Sequence, residues 1–423
     1  MIYPTMNRMR TSSEPVRLAV IGAGNRANKY LEYARLHPER LRPVAVAEPN
    51  GTRRRAVAEA FGIPDKACFV RYEQLFGAGI DADAVLVASP DDVHRDPVLR
   101  AIRTGHHVLI EKPVAQQLGE CLEIERAASR HGVLAGVCYV LRYHPYFCKI
   151  REIVASGELG RVVSIDHIVS VGLDRAMHSY VRGIFRRTQD ANAMLLAKCC
   201  HDIDFLLWIL GSRCRRLSSF GSLGWFRPEN APAGSAERCI DCRQEAQCPY
   251  SARDLYLVRR DWISNFDVPE GSTLDEAIMN ELRSGPHGRC VFRCDNDVVD
   301  RQVLALEMAD GATVSLTMDM LTADDLRRTR IRLTGGEIEG DEQRLTVRPF
   351  RGEVREYDFT DLFGQPYHAG ADLRLIEDFI EAVHSSAHPF RAPIGEAVES
   401  HRICFAAEES RLTGRTIDLD AQR

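Results

Sequence analysis

The first strongly patterned stretch is VRLAVI (16–21), an unbroken apolar run of the kind that a strand buried on both faces requires. A polar turn follows, Gly22-Ala23-Gly24-Asn25-Arg26-Ala27, and then a helical pattern through NKYLEYARLH. The same succession recurs. LRPVAVAEPN, DADAVLVASP, HHVLIEKPV and GVLAGVCYVLRYHP each read as a strand ending in a polar turn, with helical segments between them. Strands alternating with helices predict a right-handed parallel βαβ sheet with its ligands at the carboxyl ends of the strands. Further along, GATVSLTMDM and RTRIRLTGGEIEGD read as antiparallel strands joined through turns. Between the two patterned regions, about 212–300, Gly, Pro and charge dominate and periodicity is weak. That segment reads as a long excursion with little core. Residues 1–14 read as a polar tail, 15–147 as a dinucleotide-binding domain, and 148–423 as a second domain carrying the excursion.

The turn after the first strand is G-x-G-x-x-A. Its glycines allow a tight turn and a close backbone approach to a pyrophosphate, and the helix N-terminus supplies free N–H groups. Gly22, Ala23, Gly24, Asn25, Arg26 and Ala27 are therefore candidate cofactor contacts. Glu48, at the end of the second strand pattern, is the acid expected on the adenosine ribose hydroxyls. It would repel a 2′-phosphate, which favours NAD over NADP, although Arg53, Arg54 and Arg55 lie close by in sequence. Ser89, Pro90, His94, Glu111, Lys112 and Arg142 fall at later strand ends and join the candidate cofactor contacts.

Composition narrows the function. A net charge of -5 lacks the basic face of a general nucleic-acid binder. No apolar run approaches a membrane span, and the N-terminal stretch has no apolar signal core. The chain is expected in the cytoplasm, where its 13 cysteines would be thiols or metal ligands rather than disulfides.

MLLAKCCHDIDFLLWILG (194–211) places Lys198, Cys199, Cys200, His201, Asp202 and Asp204 inside an apolar stretch. Helical spacing puts Lys198, His201 and Phe205 on one face. Histidine suits removal of a hydroxyl proton. A lysine desolvated beside another cation can itself become a neutral base. Adjacent helical cysteines diverge by about a hundred degrees, so Cys199 and Cys200 read as small core residues.

In order and spacing, the fingerprint at 22–27, SPDDVH (89–94), EKPVA (111–115) and LRYHPYF (141–147) resemble the Gfo/Idh/MocA family of nicotinamide-dependent oxidoreductases. GELGRVVSID (157–166), HDIDFLLWILG (201–211) and AEESRLTGR (407–415) extend the resemblance over most of 16–420. It implies a Rossmann domain followed by an α/β domain built on a large, mostly antiparallel sheet. It also implies oxidation or reduction of a sugar, cyclitol or related hydroxyl compound, with Lys112 near the nicotinamide and His201 as acid/base residue. Where inositol-dehydrogenase-like members carry an aspartate four residues before the histidine, this chain has Ala197, and Lys198 follows it. A Lys198–His201 pair supported by Lys112 is the expected replacement; the alternative is a structural pairing of Lys198 with Asp202 or Asp204. Two other functions stay open. One is glycoside cleavage by transient oxidation and elimination with tightly held NAD. The other is a nucleotide- or sugar-binding sensor. The family also suggests a homodimer or homotetramer.

Two clusters remain. Cys239-x2-Cys242-x5-Cys248 suggests a structural zinc, with a fourth ligand from Cys294, Cys290, Cys214 or a nearby histidine; free thiols and an iron–sulfur cluster are the alternatives. His178, Arg182 and His368 are candidate contacts to substrate hydroxyls or a carboxylate, and Asp372 reads as a helix N-cap.

Overall fold

The computed structural model describes residues 14–421 except 264, 265, 267, 270, 363 and 386. The expected tail, 1–14, lies almost wholly outside the described residues.

Six strands form the first sheet: β1 Val16–Ile21, β2 Leu41–Ala47, β3 Cys68–Phe69, β4 Ala84–Val87, β5 His107–Ile110 and β6 Ala135–Val137. All pairings are parallel and the order is β3-β2-β1-β4-β5-β6, the doubly wound order of a dinucleotide-binding domain. Ala19, Val20, Ala45, Val46 and the whole of β4 are fully buried, which is why these strands read as apolar runs rather than as alternations. The two-residue β3 carries too little pattern to be legible in advance.

Nine strands form the second sheet. They are β7 Val162–Ser170, β8 Cys214–Ser222, β9 Arg301–Met308, β10 Thr313–Asp319, β11 Arg327–Leu333, β12 Gly336–Gly340, β13 Arg344–Pro349, β14 Arg355–Asp358 and β15 Ile417–Asp418. Their order is β14-β13-β12-β11-β7-β10-β9-β8-β15. Every pairing is antiparallel except β7 with β10. The expected antiparallel link between the two later patterns is corrected here. β10 and β11 do not touch; β7 lies between them, parallel to one and antiparallel to the other. The excursion is also shorter than expected. Cys214–Ser222 is a full strand whose inward side buries Cys214, Leu217 and Ser219, so Cys214 is a sheet residue packed toward the β9 backbone and not a metal ligand.

Helix Met194–Leu210 packs on β7 and on helix Ile394–Thr413, which also lies against β8. It is apolar around most of its circumference and buried accordingly. Cys199 and Cys200 are both fully buried in it. The chain after the second sheet returns to the first domain, where helix Pro366–His384 packs on helix Asn25–Leu36. Among the described residues no helix is long and apolar enough to cross a membrane.

A buried ion pair joins the connection between the sheets to the 194–210 helix. Arg142 donates from Nε to Asp204 Oδ2 at 2.8 Å and from Nη2 to Oδ1 at 2.7 Å. Its remaining donor group, Nη1, reaches Glu396 and the Arg391 carbonyl. Arg142 therefore has its donors committed to structure and is not a cofactor contact, contrary to the expectation from its place at a strand end. Its removal would strand Asp204 in the core. Arg142→Met is expected to cost about 3–5 kcal/mol of unfolding free energy in urea titration, and Arg142→Met/Asp204→Leu should recover most of it. Equal losses in the single and double variants would refute the pairing as the cause.

Candidate active site

The G-x-G turn is built for close approach. Gly22 has φ +86°, and a Cβ there would sit 2.5 Å from the Ala88 carbonyl oxygen and 2.7 Å from the Ser89 nitrogen. Gly24 has an ordinary φ of -75° and faces open space, with nothing within 4 Å of where a Cβ would be. The helix that begins at Asn25 carries no side-chain cap, leaving its N-terminal dipole for a ligand. Glu48 lies beside this turn. Its carboxylate accepts from Ala23 N at 2.7 Å and from Asn50 N at 2.8 Å. Arg54 is turned onto the Glu48 and Pro49 carbonyls. Ser89 Oγ is buried and without a partner. An uncapped helix end, an open glycine cradle, an acid at the second strand end and an orphaned hydroxyl together fit a dinucleotide with free ribose hydroxyls.

Other expected cofactor contacts hold the site together. Glu111 is buried and accepts from Arg26 Nε at 2.7 Å, Tyr30 Oη at 2.6 Å and Lys112 N at 2.8 Å. Burial alone would raise the Glu111 pKa, but Arg26 and Lys112 outweigh it and the net shift is downward. Arg26 also pairs with the buried Asp372 at 2.7 Å, and Asp372 Oδ2 meets His368 Nδ1 at 2.8 Å. Asp372 is thus an ion-pair partner rather than the N-cap its position suggested. Arg26 connects the first domain to the returning chain, Glu111 holds it from within the first domain, and His368 stands half exposed at the rim. His94 is buried with Nδ1 on Pro113 O and Nε2 on Ser89 O, both at 2.8 Å. Each ring nitrogen faces a backbone carbonyl, so His94 sits between one strand-end loop and the other and not against open space.

Lys112 is fixed from several sides. Val114 N donates to His401 Nε2 at 2.9 Å, and Lys112 Nζ donates to the Ala197 carbonyl at 2.6 Å. That bond docks the lysine onto the 194–210 helix one turn before His201. Burial pulls the Lys112 pKa down, but Cys200, Tyr180, Glu111 and Asp91 more than reverse it, and the net shift is upward. Lys112 is therefore a firm cation.

Lys198 is the opposite. It is buried, and its pKa falls to about 7 through burial and the nearby Arg175 and Arg327 guanidinium groups. The alternative pairing is absent: Asp204 is taken by Arg142 and Asp202 by Arg327. Arg327, on the inward side of β11, spans the site. It donates to Asp202 Oδ1, to Glu342 Oε1 at 3.3 Å and to His201 Nε2 at 2.8 Å. A guanidinium has no acceptor, so His201 Nε2 accepts and its proton sits on Nδ1. Burial takes the His201 pKa to about 3, which keeps the ring neutral. Asp202 Oδ2 lies 3.1 Å from the same nitrogen and has no hydrogen bond.

Arg327 was missed in the sequence, as were Asp91 and Asn192. An arginine at an inward position of an alternating strand was the available signal for Arg327. Asp91 accepts from Asn192 Nδ2 at 2.9 Å, and burial raises its pKa.

Two expected substrate contacts lie elsewhere. His178 stacks on Trp262 and His287 with centroids at 5.1 and 4.8 Å, and its Nδ1 meets Tyr256 Oη at 2.9 Å. Arg182 is fully buried and donates to Arg289 O at 2.8 Å and Tyr250 O at 2.7 Å. Both lie in the segment before β8 and turn toward the lobe between β8 and β9. The zinc expectation is also corrected. Among the described residues, no three His, Cys, Asp or Glu side chains are placed to hold a metal ion. Cys294 lies with its thiol on the Cys290 carbonyl at 3.3 Å, away from Cys239, Cys242 and Cys248.

Residues 16–139 match a family model described as an oxidoreductase family with an NAD-binding Rossmann fold, and 147–239 match the GFO/IDH/MocA C-terminal domain. The chain is 24% identical over 311 residues to the Bacillus subtilis putative oxidoreductase YteT, covering 70% of this chain and 71% of that protein. It is 26% identical over 318 residues to an inositol 2-dehydrogenase of Streptomyces avermitilis, covering 73% and 80%. Other curated relatives match over 42% to 56% of their own length. In fold it is similar to an Agrobacterium radiobacter oxidoreductase solved with NAD+, L-tartaric acid and magnesium, with a TM-score of 0.71, 17% identity and coverage of 96% and 99%. With its cradle, its strand-end lysine and both family models in register, the chain belongs to the Gfo/Idh/MocA family of NAD-binding oxidoreductases.

Proposed function

We propose that this protein oxidises a secondary hydroxyl of a sugar, cyclitol or glycoside with NAD+, and that Lys198 takes the hydroxyl proton. The observation that carries this reading is the placement of two buried lysines of opposed state, Lys112 held charged on the Ala197 carbonyl of the 194–210 helix and Lys198, on that helix, lowered to about 7. Bound nicotinamide supplies the hydride acceptor. Lys112 holds the developing alkoxide by charge. Lys198, neutral above about pH 7, accepts the proton. His201, its Nδ1 protonated, donates a hydrogen bond and keeps the substrate oxygen oriented. Glu48 favours NAD over NADP because a 2′-phosphate would face its carboxylate. The second sheet exposes Phe220 and Val303, and this face suits assembly as a homodimer or homotetramer.

The deciding experiment is NADH formation from NAD+ across polyols, cyclitols, aldoses, uronic acids and glycosides, with Lys112→Ala alongside. Turnover on one class should fall by at least about a hundredfold in Lys112→Ala while NAD+ still binds. Glycoside cleavage without added cofactor or net NADH would replace this reading with oxidation and elimination.

The proton acceptor has its own test. The kcat/KM for oxidation should rise about tenfold per pH unit below pH 7 and level above it, because the neutral amine is the active form. Lys198→Met should be slow and lack that limb; an unchanged profile would assign the base elsewhere. The cradle is tested by Gly24→Val, which has room in the fold and fills the open space. NAD+ affinity should fall by about tenfold or more with the melting temperature of the free protein unchanged. Unaltered affinity would move the pyrophosphate elsewhere.

A further inference from the structure

Cys239, Cys242, Cys248 and Cys290 line one cavity in the lobe between β8 and β9 that is partly open to solvent. The lobe has only a small core of its own, in which Leu255, Tyr256, Ile278 and Leu282 are the principal side chains. Three of the four cysteines fall within ten residues of sequence and the fourth comes from the far end of the excursion, so whatever joins them closes the lobe. All four are free thiols.

Two of the residues that line the same cavity carry an orphaned polar atom. Arg182 is fully buried, its acceptors are two backbone carbonyls and the Cys239 sulfur at 3.5 Å, and its Nη1 has no partner. No carboxylate among the described residues pairs with it. A buried guanidinium without an anion is one of the costliest arrangements in a protein. Ser235 Oγ is likewise buried and unpartnered. The guanidinium calls for a negatively charged acceptor, and the Ser235 hydroxyl can donate to the same one.

We propose that these four cysteines ligate an iron–sulfur cluster, with Arg182 as its counter-charge. A single zinc would need sulfurs converging to about 2.3 Å from one point, and no such group occurs among the described residues. A cluster carries its irons and sulfides between the thiolates, so its four ligands stand apart around a cavity. Each thiol gives up its proton on ligation, and the thiolate-ligated cluster is anionic, which answers the buried guanidinium. Donors such as Arg182 Nη1 and Ser235 Oγ are the hydrogen bonds that surround cluster sulfurs. Cys248 is followed by Pro249, as the last cysteine of a bacterial ferredoxin run is.

The cluster is structural. The lobe it closes packs on the segment 173–187, through Arg259 with Asp174 at 2.9 Å, Arg186 with Asp295 at 2.9 Å and the stacking of His178 on Trp262. That segment also carries Tyr180, one of the groups that raise the Lys112 pKa.

The test is iron and acid-labile sulfide in the full chain, purified without chelator under anaerobic conditions, or reconstituted with ferric and ferrous iron and sulfide. Iron and sulfide should appear in about equal amounts, as one cluster per chain, with visible absorbance bleached by dithionite. Cys248→Ser and Cys290→Ser should lose both, and Cys294→Ser should keep them. Zinc without sulfide, a disulfide among the four cysteines, or no metal even after reconstitution would each overturn the proposal. None of these readouts depends on turnover or NAD binding.

Discussion

The Arg327–Asp202 ion pair fixes the chemistry of this site. It joins an inward position of β11 to the helix that carries Lys198 and His201, and both partners are buried. Burying the pair is costly unless geometry and further hydrogen bonds are good. Here the guanidinium is shared among Asp202, Glu342 and His201. Satisfying it leaves His201 only the role of acceptor at Nε2, so its tautomer is set by the sheet rather than by the substrate. The same guanidinium, with that of Arg175, lowers the Lys198 pKa. Burial is the larger cause, and one arginine adds to it at two residues that it neighbours on the helix.

A second set of contacts positions the first domain against this helix. The loop after β5 is held at Glu111 by Arg26, at Pro113 by His94 and at Val114 by His401. Lys112 lies in the middle with its ammonium on the Ala197 carbonyl. Arg26 belongs to the glycine turn and also reaches Asp372 on the returning chain. Cofactor cradle, strand-end lysine and C-terminal helix are therefore one polar network, in which a shift of any member would leave buried charge unpaired.

The parallel sheet and the glycine turn were legible because burial on both faces forces continuous apolar runs and because only glycine meets the demands at position 22. The residues at strand ends were legible as a group, but their roles were not. Glu111, His94 and Arg142 looked like ligand contacts, yet each has its hydrogen-bonding atoms turned to other protein groups. Sequence spacing places a side chain at a strand end without saying what packs over it. Arg327 shows the converse. Its strand alternates plainly, but its partner is 125 residues away, on a helix. Cys290 and Cys294 were indistinguishable by spacing; a single turn of backbone puts one in the cavity and directs the other to a carbonyl.

The two lysines carry the last step. Both are desolvated, and burial lowers the pKa of each. Their divergence comes from what else is near. Lys112 has Glu111, Asp91, Tyr180 and Cys200 around it, whereas Lys198 has two guanidinium groups and shares Asp202 with Arg327. An active site that moves a proton and stabilises an oxyanion needs groups whose environments push their pKa values apart. Where related enzymes are expected to use an aspartate beside the histidine, this chain has Ala197, whose carbonyl receives Lys112. An aspartate there would add a negative charge beside Lys198 and raise its pKa, returning it to the charged form. Alanine at that position and a weakly basic Lys198 are consequently two sides of one arrangement.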